Sequence, residues 1–152
     1  MKLSAGVEWS IHCCVVLSQA ESPVPSARLA ELHGVSKTYL DKHLQSLART
    51  GLVRPSEGRD GGYVLTRPPE LISVLEVVQA VEGDQPAFRC AEIRQQGVLV
   101  APPEDCRAPC GIAKVMADAE RAWRDSLSGT TIADLAGSFD TSSVKQVLGT
   151  PG

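Results

Sequence analysis

A mainly α-helical fold with a single two-stranded hairpin is what this sequence predicts, on three observations. Apolar residues recur at helical spacing in segments that proline and glycine interrupt. Two short apolar runs flank a glycine-rich tip. Basic residues gather on one stretch of a chain that is acidic overall.

Residues 7–19 read as the first helix, with Val7, Ile11, Cys14, Val15 and Ser18 forming one buried stripe. Glu21-Ser22-Pro23-Val24-Pro25 stops it, because proline cannot continue the hydrogen-bond ladder. A short second helix over 26–33 turns Leu29, Ala30 and Leu32 inward, and Gly34 ends it as a left-handed C′ residue. Ser36 stands where an N-cap belongs, ahead of a third helix over 37–49. Leu40, Leu44 and Leu47 form its buried face, Asp41, Lys42, His43 and Gln45 its solvent side, and Gly51 closes it. Residues 52–54 and 62–66 read as strands around the loop 55–61, where Gly58, Gly61 and Gly62 suit a tight tip.

Pro68-Pro69 marks a boundary, and Ser73 with Glu76 forms a capping box opening a helix to about Val81, ahead of Gly83. Residues 84–109 have weak periodicity and four prolines, so they are expected to be loop, and a loop that long in a small domain usually has a task. Residues 111–128 form the longest helix candidate. Ile112, Met116, Ala119, Trp123 and Ser126-Leu127 alternate spacings of four and three, as in a coiled-coil-like seam. Thr131 to Leu135 adds a short helical turn, and the Ser/Gly/Thr-rich stretch 141–152 is expected to fray. The expected domains are 1–67, 68–140 and a flexible tail at 141–152.

The 152 residues are one domain's worth of chain, or one domain with an extended arm, and 43% apolar with 22% charged residues excludes wholesale disorder. No apolar run reaches the roughly 18–20 residues that span a bilayer. Met1 to Ala20 lacks a basic segment before an apolar core, and Glu8 and His12 interrupt it, so a cytoplasmic protein without a signal peptide is expected. Five cysteines, two of them adjacent, fit a metal-binding or redox role better than a disulfide framework. No CxxC, no GxGxxG opening a helix and no placeable Ser/His/Asp set appears, which argues against an enzyme or a small electron carrier.

The net charge of −3 conceals a split: residues 1–67 carry eight Lys/Arg against six Asp/Glu, and residues 68–152 carry seven against twelve. Within 36–67 the count is six against three. Together with the order helix, helix, tight turn, helix, hairpin, this predicts a winged helix-turn-helix with a two-stranded wing, whose third helix reads the DNA major groove. Ser36, Lys37, Thr38, Tyr39, Lys42 and His43 are the candidate DNA contacts on that helix, and Arg54, Arg59 and Arg67 on the hairpin are placed to reach phosphates or a minor groove. His33 reads as a helix-end residue instead of a base reader.

Val35-Ser36-x-x-Tyr39-Leu40, Leu47-Ala48-Arg49-Thr50-Gly51-Leu52-Val53 and Gly58-x-x-Gly61-Gly62-Tyr63-x-Leu65 resemble the signature of the iron–sulfur winged-helix transcriptional regulator family that includes IscR, NsrR and RsrR. The start Met1-Lys2-Leu3-Ser4 and the later Val77-Val78-x-Ala80-Val81 match as well, and the similarity covers about residues 1–140. Gly6-Val7-Glu8-Trp9 and the spacing of the late cysteines resemble the RsrR branch most closely. The resemblance implies a homodimer, joined through a long C-terminal helix, that binds roughly palindromic double-stranded promoter DNA. It also implies a response to redox state, nitric oxide, or cluster or cysteine supply, with repression the expected sense.

The residues support a cofactor reading beside this. Cys106-Arg107-Ala108-Pro109-Cys110 sets two thiols four positions apart where a loop turns into a helix, and thiolates are the usual iron–sulfur ligands. Glu8 and His12, at i and i+4, project from one helix face and suit a second iron. These four side chains suit an iron–sulfur cluster of the [2Fe–2S] type, the set that resemblance to the RsrR branch supports. The commoner family pattern has three cysteines in a short loop. Here Cys90 lies sixteen residues before Cys106, so Cys90, Cys106 and Cys110 plus Glu8 or His12 around a [4Fe–4S] cluster is the alternative, with a zinc or purely thiol-based site a third. Cys13 and Cys14 fall in an apolar helix as inert buried thiols. Trp9, beside His12 and Cys13 on the helical wheel, reads either as interface packing or as a redox gate covering the cofactor.

Overall fold

A computed structural model of the chain describes residues 1–58 and 61–149. The chain divides into two units, Lys2–Asp84 with the chain from Leu127 on, and Gln85–Ser126.

In the first unit, helix α1 (Ala5–Ser18) packs against α3 (Lys37–Arg49), α4 (Val74–Glu82) and α6 (Ile132–Ser138), while α2 (Ser26–His33) packs on α3. Being surrounded, α1 is buried over Cys13–Leu17 without interruption, where a single buried stripe is predicted. Leu29, Leu40, Leu44, Leu47, Ile72, Val77 and Ile132 are fully buried beside Cys13 and Cys14. Each such aliphatic side chain contributes about 1.5–3 kcal/mol relative to exposure.

The predicted stops operate as their chemistry requires. Gly34 closes α2 at φ +65°, a left-handed conformation that costs glycine little. The Ser36 hydroxyl accepts the Tyr39 backbone N–H at 3.2 Å and opens α3. Ser73 and Glu76 form a reciprocal capping box on α4.

The hairpin pairs β1 (Val53–Ser56) with β2 (Gly62–Leu65) antiparallel, in the register Val53 to Leu65. Strand β1 runs two residues past the predicted end, through Pro55. Proline is tolerated there because Tyr63, opposite it, exchanges its own backbone bonds with Val24 instead (3.1 and 2.8 Å). At Gly62 a Cβ would collide with the Val24 carbonyl group, so glycine lets this third backbone approach the wing.

Residues 68–84 pack in this unit together with 2–67: Ile72, Val74, Val77 and Val78 are buried, and Ile132 joins the same core after residue 127. The Val74 N–H donates to the Thr130 carbonyl at 2.8 Å and the Ile132 N–H to that of Ile72 at 2.9 Å, tying the starts of α4 and α6 together. Within the stretch expected to fray, Ser142–Leu148 form helix α7, and residues 150–152 lie outside the described residues. Val144 and Leu148 pack on the core, and the Arg28 guanidinium donates to the Val147 carbonyl at 2.9 Å.

In the second unit, short 3-10 turns at Ile93–Gln95 and Pro103–Cys106 interrupt the expected loop, and α5 spans Gly111–Ser128 as predicted. None of its described residues is buried. Ile112 and Met116 are 58% and 42% exposed, so the apolar seam of α5 meets water along its first two turns.

Candidate functional site

The candidate DNA contacts gather on α3. Its capped first turn exposes Ser36, Lys37, Thr38 and Tyr39, and Lys42 is exposed one turn later. Lys37 Nζ pairs with Asp41 at 2.8 Å, an i,i+4 contact that holds the ammonium at the helix surface. Arg54 is exposed on β1, whereas Arg59 lies outside the described residues. Arg67 turns away from the wing, donating to the Glu76 carboxylate at 2.7 Å and the Leu71 carbonyl at 3.1 Å.

His43 is placed differently from its predicted solvent side. It is 8% exposed, its Nε2 has no hydrogen-bond partner, and its ring lies edge-on to Tyr39 at 4.8 Å. The reason is Gly6 on α1: a Cβ there would sit 2.5 Å from His43 Cε1, so the missing side chain opens the space the imidazole fills. Burial lowers the His43 pKa, and Lys42 adds to the effect.

The amino-terminal half of α1 carries a second set. Glu8 is exposed and His12 half-buried, and both line an open pocket of about 550 Å³ with Leu3, Val7 and Ile11. His12 stacks on Phe139, which follows α6, at 5.9 Å between ring centres, and meets His33 edge-on at 6.0 Å. Trp9 is half-buried and edge-on to His33 at 5.7 Å. His33 Nδ1 lies 2.7 Å from the Leu29 carbonyl, which fixes that ring at the end of α2. Further along α1, burial pushes the Cys13 thiol up to about 12 and that of Cys14 higher still.

The cysteine segment is organised by polar contacts. Arg94 donates to both oxygens of Glu92 (2.6 and 2.7 Å) and to the carbonyls of Asp105 and Ala108 (both 3.1 Å), drawing the stretch between Cys106 and Cys110 around one guanidinium. Glu92 reaches it from a left-handed backbone, φ +49°. Gln95 donates its amide to Cys106 Sγ at 2.9 Å and to the Ala101 carbonyl at 3.2 Å. Cys110 stands just ahead of α5, where its sulfur accepts the Ala113 N–H at 3.5 Å. The Ala113 N–H, helped by the Ile112 N–H and the nearby Arg94, holds this thiol below its ordinary pKa against the opposing effects of burial and of Glu92. Cys90 is exposed, its sulfur accepting the Glu92 N–H at 3.4 Å.

Among the described residues, no three His, Cys, Asp or Glu side chains converge as a metal site within one chain. The structure therefore brings Glu8 and His12 to one pocket and places Cys106 and Cys110 on one clasped loop, without uniting Cys90 with that pair.

Known proteins fit this architecture. Residues 3–138 match the Rrf2 family, described as iron-dependent transcriptional regulator. The chain belongs to the Rrf2 family. The protein aau3 of Rhizobium meliloti (strain 1021) is 35% identical over 138 residues, covering 89% of this chain and 84% of that protein. The HTH-type transcriptional regulator NsrR of Bacillus licheniformis is 28% identical over 137 residues, covering 89% and 92%. The solved structure of CymR (YrzC), the global cysteine regulator of B. subtilis, superposes with a TM-score of 0.71 at 23% identity, covering 92% of this chain and 99% of that one.

As an Rrf2 protein the chain is a DNA-binding transcriptional regulator with a winged-helix fold, and not an enzyme. No described helix is long and apolar enough to cross a membrane. Sequence reasoning missed three residues that the structure sets against the candidates in this Rrf2 chain: Arg94, Gln95 and Phe139. Arg94 stands in a segment without periodicity, and its partners lie up to fourteen residues away. Phe139 is distant from His12 in sequence, and its aromatic character was the one available signal.

Proposed function

We propose that this Rrf2 protein is a homodimeric repressor that senses redox or nitrosative state through a [2Fe–2S] cluster. Cys106 and Cys110 of one subunit and Glu8 and His12 of the other supply its ligands. The observation that carries the reading is the division of donors into two pairs. Two thiols sit on one clasped loop, and a carboxylate and an imidazole line one pocket. Two plus two ligands is what a two-iron cluster needs, and two thiolates with one carboxylate and one neutral imidazole suit it. When bound, such a cluster supplies reversible one-electron chemistry.

The chain's own residues prepare for it. The α5 N-terminus and Arg94 favour the Cys110 thiolate, and Gln95 donates toward Cys106. Phe139 and His33 flank the His12 ring and fix its plane. The water-exposed seam of α5 suits a second copy of the same helix, the partnership its spacing predicts. Ser36, Lys37, Thr38, Tyr39 and Lys42, with Arg54 and Arg59 on the wing, then contact the two half-sites of an operator about one helical turn (about 34 Å) apart.

The test is anaerobic purification with iron, sulfide and zinc analysis and a visible spectrum, followed by gel shifts before and after dithionite. The expected result is a coloured dimer with about two irons and two sulfides per chain and redox-dependent DNA affinity. Cys106→Ala and Cys110→Ala are expected to bleach it, and Cys90→Ala to leave it coloured. A colourless Cys90→Ala beside a coloured Cys106→Ala transfers the second thiolate to Cys90. An iron-free protein whose DNA binding ignores redox state overturns the cluster.

One observation favours a second reading, a sensor that works through thiol chemistry alone. Cys110 combines a lowered pKa with access to solvent. An iron-free protein whose DNA affinity falls on Cys110 alkylation supports this reading.

A further inference from the structure

The buried imidazole of His43 belongs to neither set of site residues, yet it lies against both helices that carry them. On one side is the first turn of α1. Its start is pinned to α4 by the Ser4 N–H, which donates to Glu82 Oε1 at 2.6 Å. Gly6 then faces His43 so closely that a Cβ would lie 2.5 Å from Cε1 and 2.8 Å from Nδ1, with Val81 of α4 at 3.3 Å. On the other side is Tyr39, an exposed residue on the first turn of α3, meeting the imidazole edge-on at 4.8 Å. Two residues beyond Gly6 on α1 is Glu8, and two turns beyond Tyr39 on α3 is the fully buried Leu47.

We infer that His43 is a positioning residue that couples the first turn of α1 to the reading face of α3, transmitting displacement of Gly6 to Tyr39. The inference rests on the proposed ligand role of Glu8 and His12. Contact without slack is what lets a small shift travel, because close-packed groups move together or rearrange. With Nε2 unpartnered, no hydrogen bond at that atom ties the ring elsewhere, and its close contacts with Tyr39 and the Gly6 turn position it. Leu40, one turn before His43, and the adjoining Leu44 anchor the neighbouring face of α3 in the core. Movement entering at His43 thus meets a fixed side and an exposed one, and Tyr39 is on the exposed side. A change at Glu8 and His12 therefore alters how the first turn of α3 meets DNA without changing the core.

The experiment compares operator affinity of the oxidised and dithionite-reduced dimer, using a duplex selected by the wild-type protein from a random-sequence pool. The variants are His43→Leu, His43→Gln and Tyr39→Phe, with visible spectra and thermal melts as checks. Wild type is expected to show about a tenfold ratio between the two states, within the usual span of allosteric coupling. His43→Leu is expected to bring the ratio to about twofold or less while the visible spectrum is unchanged, a readout that a purely structural role does not move. His43→Gln serves if the leucine variant fails to fold, with the same expectation. Tyr39→Phe keeps the ring edge and is expected to keep the ratio. Retention of the wild-type ratio in a folded His43 variant overturns the inference alone. A wild-type ratio of one overturns the proposed sensing and this coupling with it.

Discussion

The two units of this chain are held by different physics. Residues 2–84 with the chain from 127 enclose a core of fully buried aliphatic side chains, whereas residues 85–126 bury none of their described residues and rely on the Arg94 clasp, two 3-10 turns and helix α5. Burial yields a cooperative, stable body. Polar contacts facing water give a segment that opens locally at small cost in free energy. The proposed function asks the DNA-contacting body to keep its shape and the cysteine loop to admit a ligand. The difference in packing matches that division of labour.

The comparison is broken most severely by a core truncation. Leu44→Ala, at a fully buried site where α3 meets the core, is expected to destabilise the protein by about 2–5 kcal/mol. Urea unfolding followed by circular dichroism measures it, and a loss under about 1 kcal/mol would show that this core is less closely packed than described. Removing a cap costs less: Ser73→Ala takes away the acceptor for the Glu76 N–H and is expected to cost about 1 kcal/mol in the same assay.

Acid sharpens the contrast next. Burial alone would raise the Glu76 pKa, but the Ser73 backbone N–H and the Arg67 guanidinium outweigh it and hold the carboxyl below its ordinary value. Its folded value is the lower one, so its contribution is present above the ordinary glutamate range and disappears as pH falls through the folded value. The thermal midpoint of Glu76→Gln is accordingly expected to lose part of the acid dependence seen in wild type. An unchanged pH profile would remove Glu76 from the acid response.

The smallest expected effect on global stability comes from the other unit. Arg94→Ala is expected to leave the unfolding midpoint near that of wild type while hydrogen exchange over residues 90–110 accelerates. If the midpoint falls as far as in Leu44→Ala, the two units unfold as one and the contrast fails.

What the sequence disclosed follows the same division. Every element whose limits depend on local chemistry was legible: Gly34 and Gly83 at helix ends, Ser36 and Ser73 at helix starts, and the register-setting glycines of the wing. Features that depend on a distant partner were not. Helix α7 has the composition of a tail and exists because Val144 and Leu148 meet a surface more than a hundred residues earlier in the chain, where Arg28 also binds. His43 stands at a position that periodicity assigns to water, and only a glycine 37 positions earlier turns it inward. The pairing of Glu8 with His12 was readable from helical spacing. The Arg94 contacts around Cys106 and Cys110 link non-adjacent turns of an irregular segment and leave no pattern to read.

Burial of Cys13 and Cys14 has a bearing on how cleanly such a regulator reports. Thiols held almost wholly as the protonated form are poor targets for peroxide or electrophiles. Of the five cysteine sulfurs, oxidants thus meet Cys90, Cys106 and Cys110, all in the segment that the hydrophobic interior does not hold. Under the proposed function, damage and message arrive at the same address, and the core beneath α3 is spared the chemistry that is reported.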